Sequence, residues 1–98
     1  MNRFIWLSIA TVALLTSTHA APRIRVMLLD GESAGPYHKW QVTSRVLKKV
    51  LDETGLFEVD TVTAPGAGAD FSGFSPAFTR YQVVVMNYDA PDERWSGL

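Results

Sequence analysis

The stretch RIRVMLLD, residues 23–30, decides how this chain folds. Its apolar residues form an almost unbroken run that ends on a carboxylate, Asp30. A short apolar run without alternation is typical of a strand that is buried on both faces of a parallel sheet. The next residues, 30–36, contain two glycines and a proline and are expected to form a loop. We therefore predict a central strand over Arg23–Asp30.

The residues after this loop have the spacing of an amphipathic helix. Apolar side chains recur at i, i+4 and i+8, and a helix over Tyr37–Thr54 would gather them into one wide stripe. Gly55 stands where a left-handed residue commonly ends a helix. The stripe consists of two adjacent rows, Thr43, Leu47, Leu51 and Val42, Val46, Val50.

Two further strands are predicted downstream. Phe57–Val62 alternates apolar and polar residues, as a strand at a sheet edge does. A long loop rich in Gly, Ala, Pro and Ser follows over 63–76, and Gln82–Asn87 contains VVVM, which predicts a second fully buried strand. A right-handed crossover places the second strand beside the first, and the apolar third strand takes the other side. The expected fold is a flavodoxin-like α/β fold with a parallel sheet of order 2-1-3.

Such a sheet needs helices on both faces, and this sequence contains one complete helix. We therefore expect one face to be uncovered. The sequence reads as cut short after the third strand, and a partner subunit or self-association could cover that face.

Composition excludes several classes of function. The chain has 98 residues, 47% of them hydrophobic, with a formal net charge of −1 and no cysteine. The hydrophobic content argues against a disordered chain, and the absence of a basic surplus argues against binding nucleic acid or an anionic membrane. Disulfides, thiolate metal sites and a cysteine nucleophile are excluded within the chain.

The first twenty residues have the pattern of a secretory signal peptide. Arg3 precedes an uncharged apolar run over 4–15, and Thr18-His19-Ala20 resembles a cleavage site. The alternative, a membrane anchor, needs about 20 apolar residues, and this run is too short. We expect residues 1–20 to be removed and residues 21–98 to form one domain, in the periplasm or outside the cell.

Ligands of open parallel sheets bind at the carboxyl ends of the strands, beside the point where strand order reverses. In this chain that crevice would lie between the first and third strands. The candidate binding residues come from the two strand ends and the helix start: Asp30, Glu32, His38, Asn87, Tyr88 and Asp89.

His38 is the candidate that could serve the largest number of chemical roles. A neutral imidazole near a helix N-terminus could accept a proton, hydrogen-bond a sugar hydroxyl or bind a metal. The alternative is a half-exposed histidine against loop backbone, and a single histidine is weak evidence for a metal site. Asp30 and Asp89 could divide acid and base roles, or could serve in ordinary turn and cap interactions. Trp40 could stack on a sugar or belong to the core.

Several familiar catalytic motifs are missing. The segment Pro65-Gly66-Ala67-Gly68-Ala69 lacks the Gly-Lys-Ser/Thr and the following helix of a phosphate loop. No serine stands in a nucleophile elbow, and no His-Glu-x-x-His pattern occurs. These motifs therefore assign no reaction to the chain.

The sequence resembles the N-terminal part of the ThuA-like (trehalose utilisation) family. The resemblance is carried by His38 and Trp40 at the helix start, by TGLFEV over 54–59 and by VVVMNY over 83–88. It implies a fold like that of class I glutamine amidotransferases without the catalytic cysteine, and a role in the use of trehalose-type disaccharides or keto-sugars. It implies a site at His38, lined by Asn87 and Tyr88.

Three functions are consistent with these observations. The chain could be an exported ThuA-like protein that handles a sugar but is inactive alone. It could be a non-catalytic module that docks through its uncovered sheet face. It could also be a shortened reading frame without a function of its own. Reaction type, sugar and cofactor are not specified by the sequence.

The signal peptide generates the first testable prediction. Mass spectrometry of the exported protein should find Ala21 at the N-terminus, because Ala20 completes the cleavage pattern. An intact Met1 in a membrane fraction would instead support the anchor.

Overall fold

The structure is a computed structural model that describes residues 13–15, 20–33 and 35–95. Three strands and one helix are present: β1 (Ile24–Asp30), α1 (Trp40–Glu53), β2 (Phe57–Thr63) and β3 (Val83–Met86). Short 3₁₀ turns occur at Phe78–Arg80 and Asp92–Trp95. Most of the predicted signal segment, 1–20, lies outside the described residues. No helix in the described part of the chain is long and apolar enough to cross a membrane.

The three strands form one parallel sheet in the order β2-β1-β3. Val26 pairs with Val59 on one side and with Val83 on the other. β1 is therefore the central strand, as its apolar run predicts. The predicted flavodoxin-like α/β topology is confirmed.

Helix α1 begins later than predicted. Lys39 is its N-cap, with extended backbone angles, so Tyr37 and His38 lie outside the helix. Lys39 accepts hydrogen bonds at its carbonyl from the backbone N–H groups of Val42 and Thr43, which closes the first turn. The C-terminal end is confirmed, because Gly55 has a φ of 69° and its N–H donates to the carbonyl of Asp52.

The core lies between α1 and one face of the sheet. Val26, Leu28 and Val59 are buried there, and four half-buried side chains pack against them: Leu47, Leu51, Phe57 and Val85. The row that contains Leu47 and Leu51 therefore faces the sheet. The parallel valine row does not, since Val42, Val46 and Val50 are all more than half exposed. The buried stripe of α1 is therefore half as wide as the predicted one, because the sheet covers only one of the two rows.

The sheet face opposite α1 is better covered than predicted. Met27 and Leu29 of β1 point to that face and are fully buried. The long β2–β3 connection reaches it, since the Tyr81 hydroxyl donates to the Asp60 carboxylate over 2.9 Å and the Arg25 guanidinium lies over the Tyr81 ring. The expectation of a wholly uncovered face is therefore corrected: β1 is buried on both sides, although the described residues contain one α-helix only.

Strand β3 departs from its predicted environment. VVVM predicts a fully buried strand, but Val83, Val84 and Met86 are exposed and Val85 alone is half-buried. β3 is an edge strand in the described residues, and a strand at an edge has neighbours on one side only.

Gly31 joins the end of β1 to the end of β2. Its φ is 135°, a conformation that other residues rarely adopt. A Cβ atom at this position would lie 2.5 Å from the carbonyl oxygen of Ala64 and 2.8 Å from its nitrogen. That close approach lets the Ala64 N–H donate to the Asp30 carbonyl over 2.7 Å, which extends the β1–β2 ladder by one bond.

Replacing Gly31 tests this contact. Gly31→Ala should lower the free energy of unfolding by at least about 2 kcal/mol, because it adds a backbone clash to an unfavourable φ. Gly73→Ala is the matched control, since nothing lies within 4 Å of its Cβ position. Urea denaturation of both variants measures the difference; equal effects at the two glycines would contradict the packing described here.

Candidate functional site

A buried carboxylate lies at the carboxyl end of the central strand. Asp30 is 2% exposed and accepts two hydroxyl hydrogen bonds. Ser44 of α1 donates to its Oδ2 over 2.5 Å, and Thr63 of β2 donates to its Oδ1 over 2.6 Å. Hydrogen bonds to an ionised acceptor are stronger than neutral ones, so these contacts offset much of the cost of burying the charge.

Asn87 extends this polar cluster to the third strand. Its Nδ2 donates to the Ser44 Oγ over 2.9 Å and to the Trp40 carbonyl over 3.3 Å, and the residue is 4% exposed. Its backbone N–H also donates to the Leu29 carbonyl. Asp30, Ser44, Thr63 and Asn87, here called the buried polar cluster, therefore bind α1 to the carboxyl ends of all three strands.

The two carboxylates considered for acid–base chemistry have different surroundings. Asp30 is buried and both of its carboxylate oxygens accept hydrogen bonds, whereas Asp89 is exposed. Asp30 and Asn87 therefore make the hydrogen bonds that the structural alternative describes.

A second group of polar residues lies in the loops beyond the strand ends. Glu32 follows β1 and forms an ion pair with Arg94, whose Nε and Nη2 lie 2.9 and 3.1 Å from its two carboxylate oxygens. The backbone N–H of Asp89 donates to the Glu32 carbonyl over 3.0 Å. The loops that follow β1 and β3 are thus joined by an ion pair and a backbone hydrogen bond. Glu32, Tyr88, Asp89 and Arg94 are here called the crevice group.

Aromatic rings border the crevice group. Tyr88 contacts Trp95 edge to face, with ring centroids 5.4 Å apart, and Trp95 also contacts Phe71 and Phe74. Burial raises the pKa of the Tyr88 hydroxyl, and the nearby Glu32 charge raises it further. Tyr88 therefore stays protonated, and able to donate a hydrogen bond, throughout the neutral pH range.

An unsatisfied hydroxyl lies next to Glu32 in the chain. The Ser33 Oγ is buried and has no hydrogen-bond partner among the described residues. Buried polar groups are almost always paired with protein, water or ligand. This oxygen is therefore a candidate contact for a polar ligand at the crevice.

His38 belongs neither to the buried polar cluster nor to the crevice group. It is exposed and precedes the N-cap, and its neighbour Tyr37 is fully exposed. Within residues 13–15, 20–33 and 35–95, no group of three or more His, Cys, Asp or Glu side chains could hold a metal ion. Trp40 is half-buried at the first turn of α1, outside the core cluster, and lines an open cleft beside the helix.

An open cleft of about 330 Å³ lies between α1 and the residues Asp30 of β1 and Thr61 of β2. Asp30 and Ser44 form part of its lining, together with Thr61 of β2 and the basic side chains Arg45 and Lys48. Lys48 is paired with Asp52 over 2.6 Å. The cleft touches the buried polar cluster but not the crevice group.

Some participants were not predicted from the sequence. Ser44 and Thr63 look like ordinary helix and strand residues, and Arg94 and Trp95 lie beyond the last predicted strand. Ser44 follows Thr43 of the predicted apolar stripe, but its own helical row contains Trp40 and Lys48, so the sequence gives only a weak signal that Ser44 is buried. The sequence gives no comparable signal for Arg94, since its partner is 62 residues away.

Fold and site together define the class: a flavodoxin-like α/β domain whose loops at the carboxyl ends of β1 and β3 are joined by polar contacts of Glu32 with Arg94 and Asp89. A solved structure of a protein from Parabacteroides merdae ATCC 43184, described as ThuA-like, is similar to this chain, with 39% sequence identity and a TM-score of 0.64. The match covers 78% of this chain and 27% of that protein. The predicted resemblance to the ThuA-like family is thereby confirmed. No protein-family model matches the chain, and no curated protein does.

The buried polar cluster generates a stability prediction. Ser44→Ala and Asn87→Ala should each lower the free energy of unfolding by about 1–3 kcal/mol, because each leaves a buried polar group without its partner. In the double variant the losses should be less than additive, with a coupling energy of at least about 0.5 kcal/mol. Urea denaturation measures all three. Fully additive losses would show that the Asn87–Ser44 hydrogen bond contributes nothing.

Proposed function

We propose that this protein binds a small carbohydrate at the crevice group and acts outside the cytoplasm. Its relationship to a ThuA-like protein is the observation that carries the proposal. That family is associated with trehalose-type disaccharides and keto-sugars. Because the chain spans about a quarter of the length of the related protein, the activity of the whole protein is part of the proposal.

The chemistry of the crevice group supports a sugar as the ligand. Sugars present hydroxyl groups that both donate and accept, together with apolar ring faces. The crevice offers carboxylates at Glu32 and Asp89, a guanidinium at Arg94 and a protonated phenol at Tyr88. Convergent polar groups beside aromatic rings are a common composition for small-molecule sites.

The position of the group also supports the proposal. Glu32 follows β1, and Tyr88 and Asp89 follow β3, so the group lies where ligands bind in open α/β sheets. The Glu32–Arg94 pair holds the two loops together before any ligand arrives. A preformed site loses less conformational entropy on binding.

Titration calorimetry of the purified protein against trehalose, maltose and sucrose tests the proposal. Asp89→Ala should weaken sugar binding at least tenfold, because it removes an exposed acceptor without disturbing the backbone bond to Glu32. Glu58→Ala on β2 is the matched control, since it removes an equally exposed carboxylate far from the crevice. The thermal midpoint should be unchanged in both.

His38→Ala tests whether the histidine that the family resemblance implies takes part in binding. The residue is exposed, so its removal should change stability by less than about 0.5 kcal/mol. If His38 reaches the ligand, as the family resemblance implies, binding will weaken as in Asp89→Ala. Absence of binding to any sugar by the unmodified protein, or equal effects of the Asp89 and Glu58 changes, would contradict a carbohydrate site at the crevice group.

A further inference from the structure

The β2–β3 connection, residues 64–82, contains a tight turn that its own hydrogen bonds hold in shape. The N–H of Phe74 donates to the Phe71 carbonyl over 2.9 Å. The Asp70 carboxylate accepts from the backbone N–H and from the hydroxyl of Ser72, over 2.9 and 2.8 Å. This turn brings the rings of Phe71 and Phe74 together edge to face, with their centroids 5.8 Å apart.

Both of these rings pack on Trp95. The Trp95 centroid lies 6.0 Å from that of Phe71 and 5.6 Å from that of Phe74, again in edge-to-face geometry. Aromatic pairs in this geometry attract one another beyond the effect of the area they bury. None of the three rings belongs to the core between α1 and the sheet. The connection is therefore fastened to the 3₁₀ turn Asp92–Trp95 by a separate set of aromatic contacts.

Trp95 in turn is linked to the crevice group by two routes. Its ring contacts Tyr88 edge to face, with centroids 5.4 Å apart and an interplanar angle of 89°. Its neighbour in the chain, Arg94, forms the ion pair with Glu32. The Glu32 carbonyl then accepts the N–H of Asp89. Contacts therefore run from the connection through Trp95 to every member of the crevice group.

The ring of Tyr88 depends on packing for its orientation. Its backbone directly follows Asn87, whose side chain and N–H are bonded in the buried polar cluster and to β1. Its hydroxyl, by contrast, has no hydrogen-bond partner among the described residues. Side chains occupy a few staggered rotamers, so a ring that loses its packing partner can turn into another one. The contact with Trp95 is what selects the observed orientation.

We propose that Phe71 and Phe74 are positioning residues for the crevice group. By holding Trp95 they fix the ring of Tyr88 and, through Arg94, the spacing of the loops that follow β1 and β3. That this spacing serves a ligand rests on the proposed function. The positioning itself is a property of the protein without a ligand, so the two can be tested separately.

The alternative is that the rings of Phe71 and Phe74 only stabilise the fold, as a second small core would. The two roles have different consequences for molecules that remain folded. Loss of a ring that only stabilises the fold leaves the crevice group unchanged in the folded molecules. Loss of a positioning ring changes the surroundings of the crevice group in those same molecules.

Nuclear magnetic resonance of the protein without a ligand distinguishes these roles. Phe74→Ala should move the backbone amide signals of Glu32 and Asp89 and leave the signals of the core beneath α1 in place. Phe74→Tyr keeps the ring and should restore the original positions. Phe78→Ala is the matched control, because Phe78 belongs to the same connection and is 42% exposed. Phe71→Ala provides the same comparison if Phe74→Ala does not fold.

Titration calorimetry with the sugar that binds the unmodified protein measures the effect on the site. Phe74→Ala should weaken binding about three- to tenfold, because a freed side chain must be immobilised again when the ligand binds. Phe74→Tyr and Phe78→Ala should bind as the unmodified protein does.

The positioning role would be overturned by amide signals of Glu32 and Asp89 that stay in place in Phe74→Ala, or that move equally in Phe78→Ala. Moved signals with an unchanged affinity for a bound sugar would overturn it as well. If the unmodified protein binds none of the sugars, the proposed function alone fails, and the amide signals still decide whether Phe74 positions the crevice group.

Discussion

The arrangement of the helix and strands depends on the burial of one carboxylate, Asp30. A carboxylate taken out of water must be hydrogen-bonded, or the fold loses several kcal/mol. Ser44 and Thr63 provide those bonds, and Asn87 holds Ser44 in place. Each of these three residues belongs to a different element, so the solvation of one side chain requires α1, β2 and the end of β3 to be in position together.

This requirement explains why the residues at the strand ends are bonded within the protein while the loop residues beyond them are more exposed. The polar residues at the end of β1 and immediately after β3, Asp30 and Asn87, are bonded within the protein and leave little for a ligand. The residues further along the two loops have more exposure and form the Glu32–Arg94 pair above the sheet. A ligand at the carboxyl edge would therefore meet loop residues, held at a fixed spacing by the buried polar cluster beneath them.

The sequence predicts the sheet well because the decisive signals are local. The apolar run of β1, the helical spacing of Leu47 and Leu51, and Gly55 at the helix end each depend on a few neighbouring residues. Strand order followed from the handedness of crossovers. The start of α1 was placed three residues early, because the break at Lys39 depends on backbone angles that no side chain in the segment signals.

The site was predicted less well because its contacts are long-range. Three of the candidates, Glu32, Tyr88 and Asp89, lie in the loops that follow β1 and β3, and the backbone bond from Asp89 to Glu32 joins those loops. The burial of Asp30 and the exposure of Asp89 could not be predicted, because the two residues occupy similar positions after apolar runs in the sequence. Asp30 is the last residue of β1 and bonds to Ser44 of α1, whereas Asp89 comes three residues after the end of β3 and is exposed.

The exposure of the valine row has the same origin. Val42, Val46 and Val50 have the pattern of core residues, and the pattern alone cannot say how much sheet lies beneath a helix. In this structure α1 packs on β1 and β2, so the row nearest those strands is covered and the row on the β3 side is left in solvent. The same limit applies to VVVM, whose sequence is that of an interior strand and whose position is at an edge. The exposed valine row of α1 and the exposed strand β3 lie on the same side of the molecule. On that side the sequence has more apolar residues than the described part of the chain can bury.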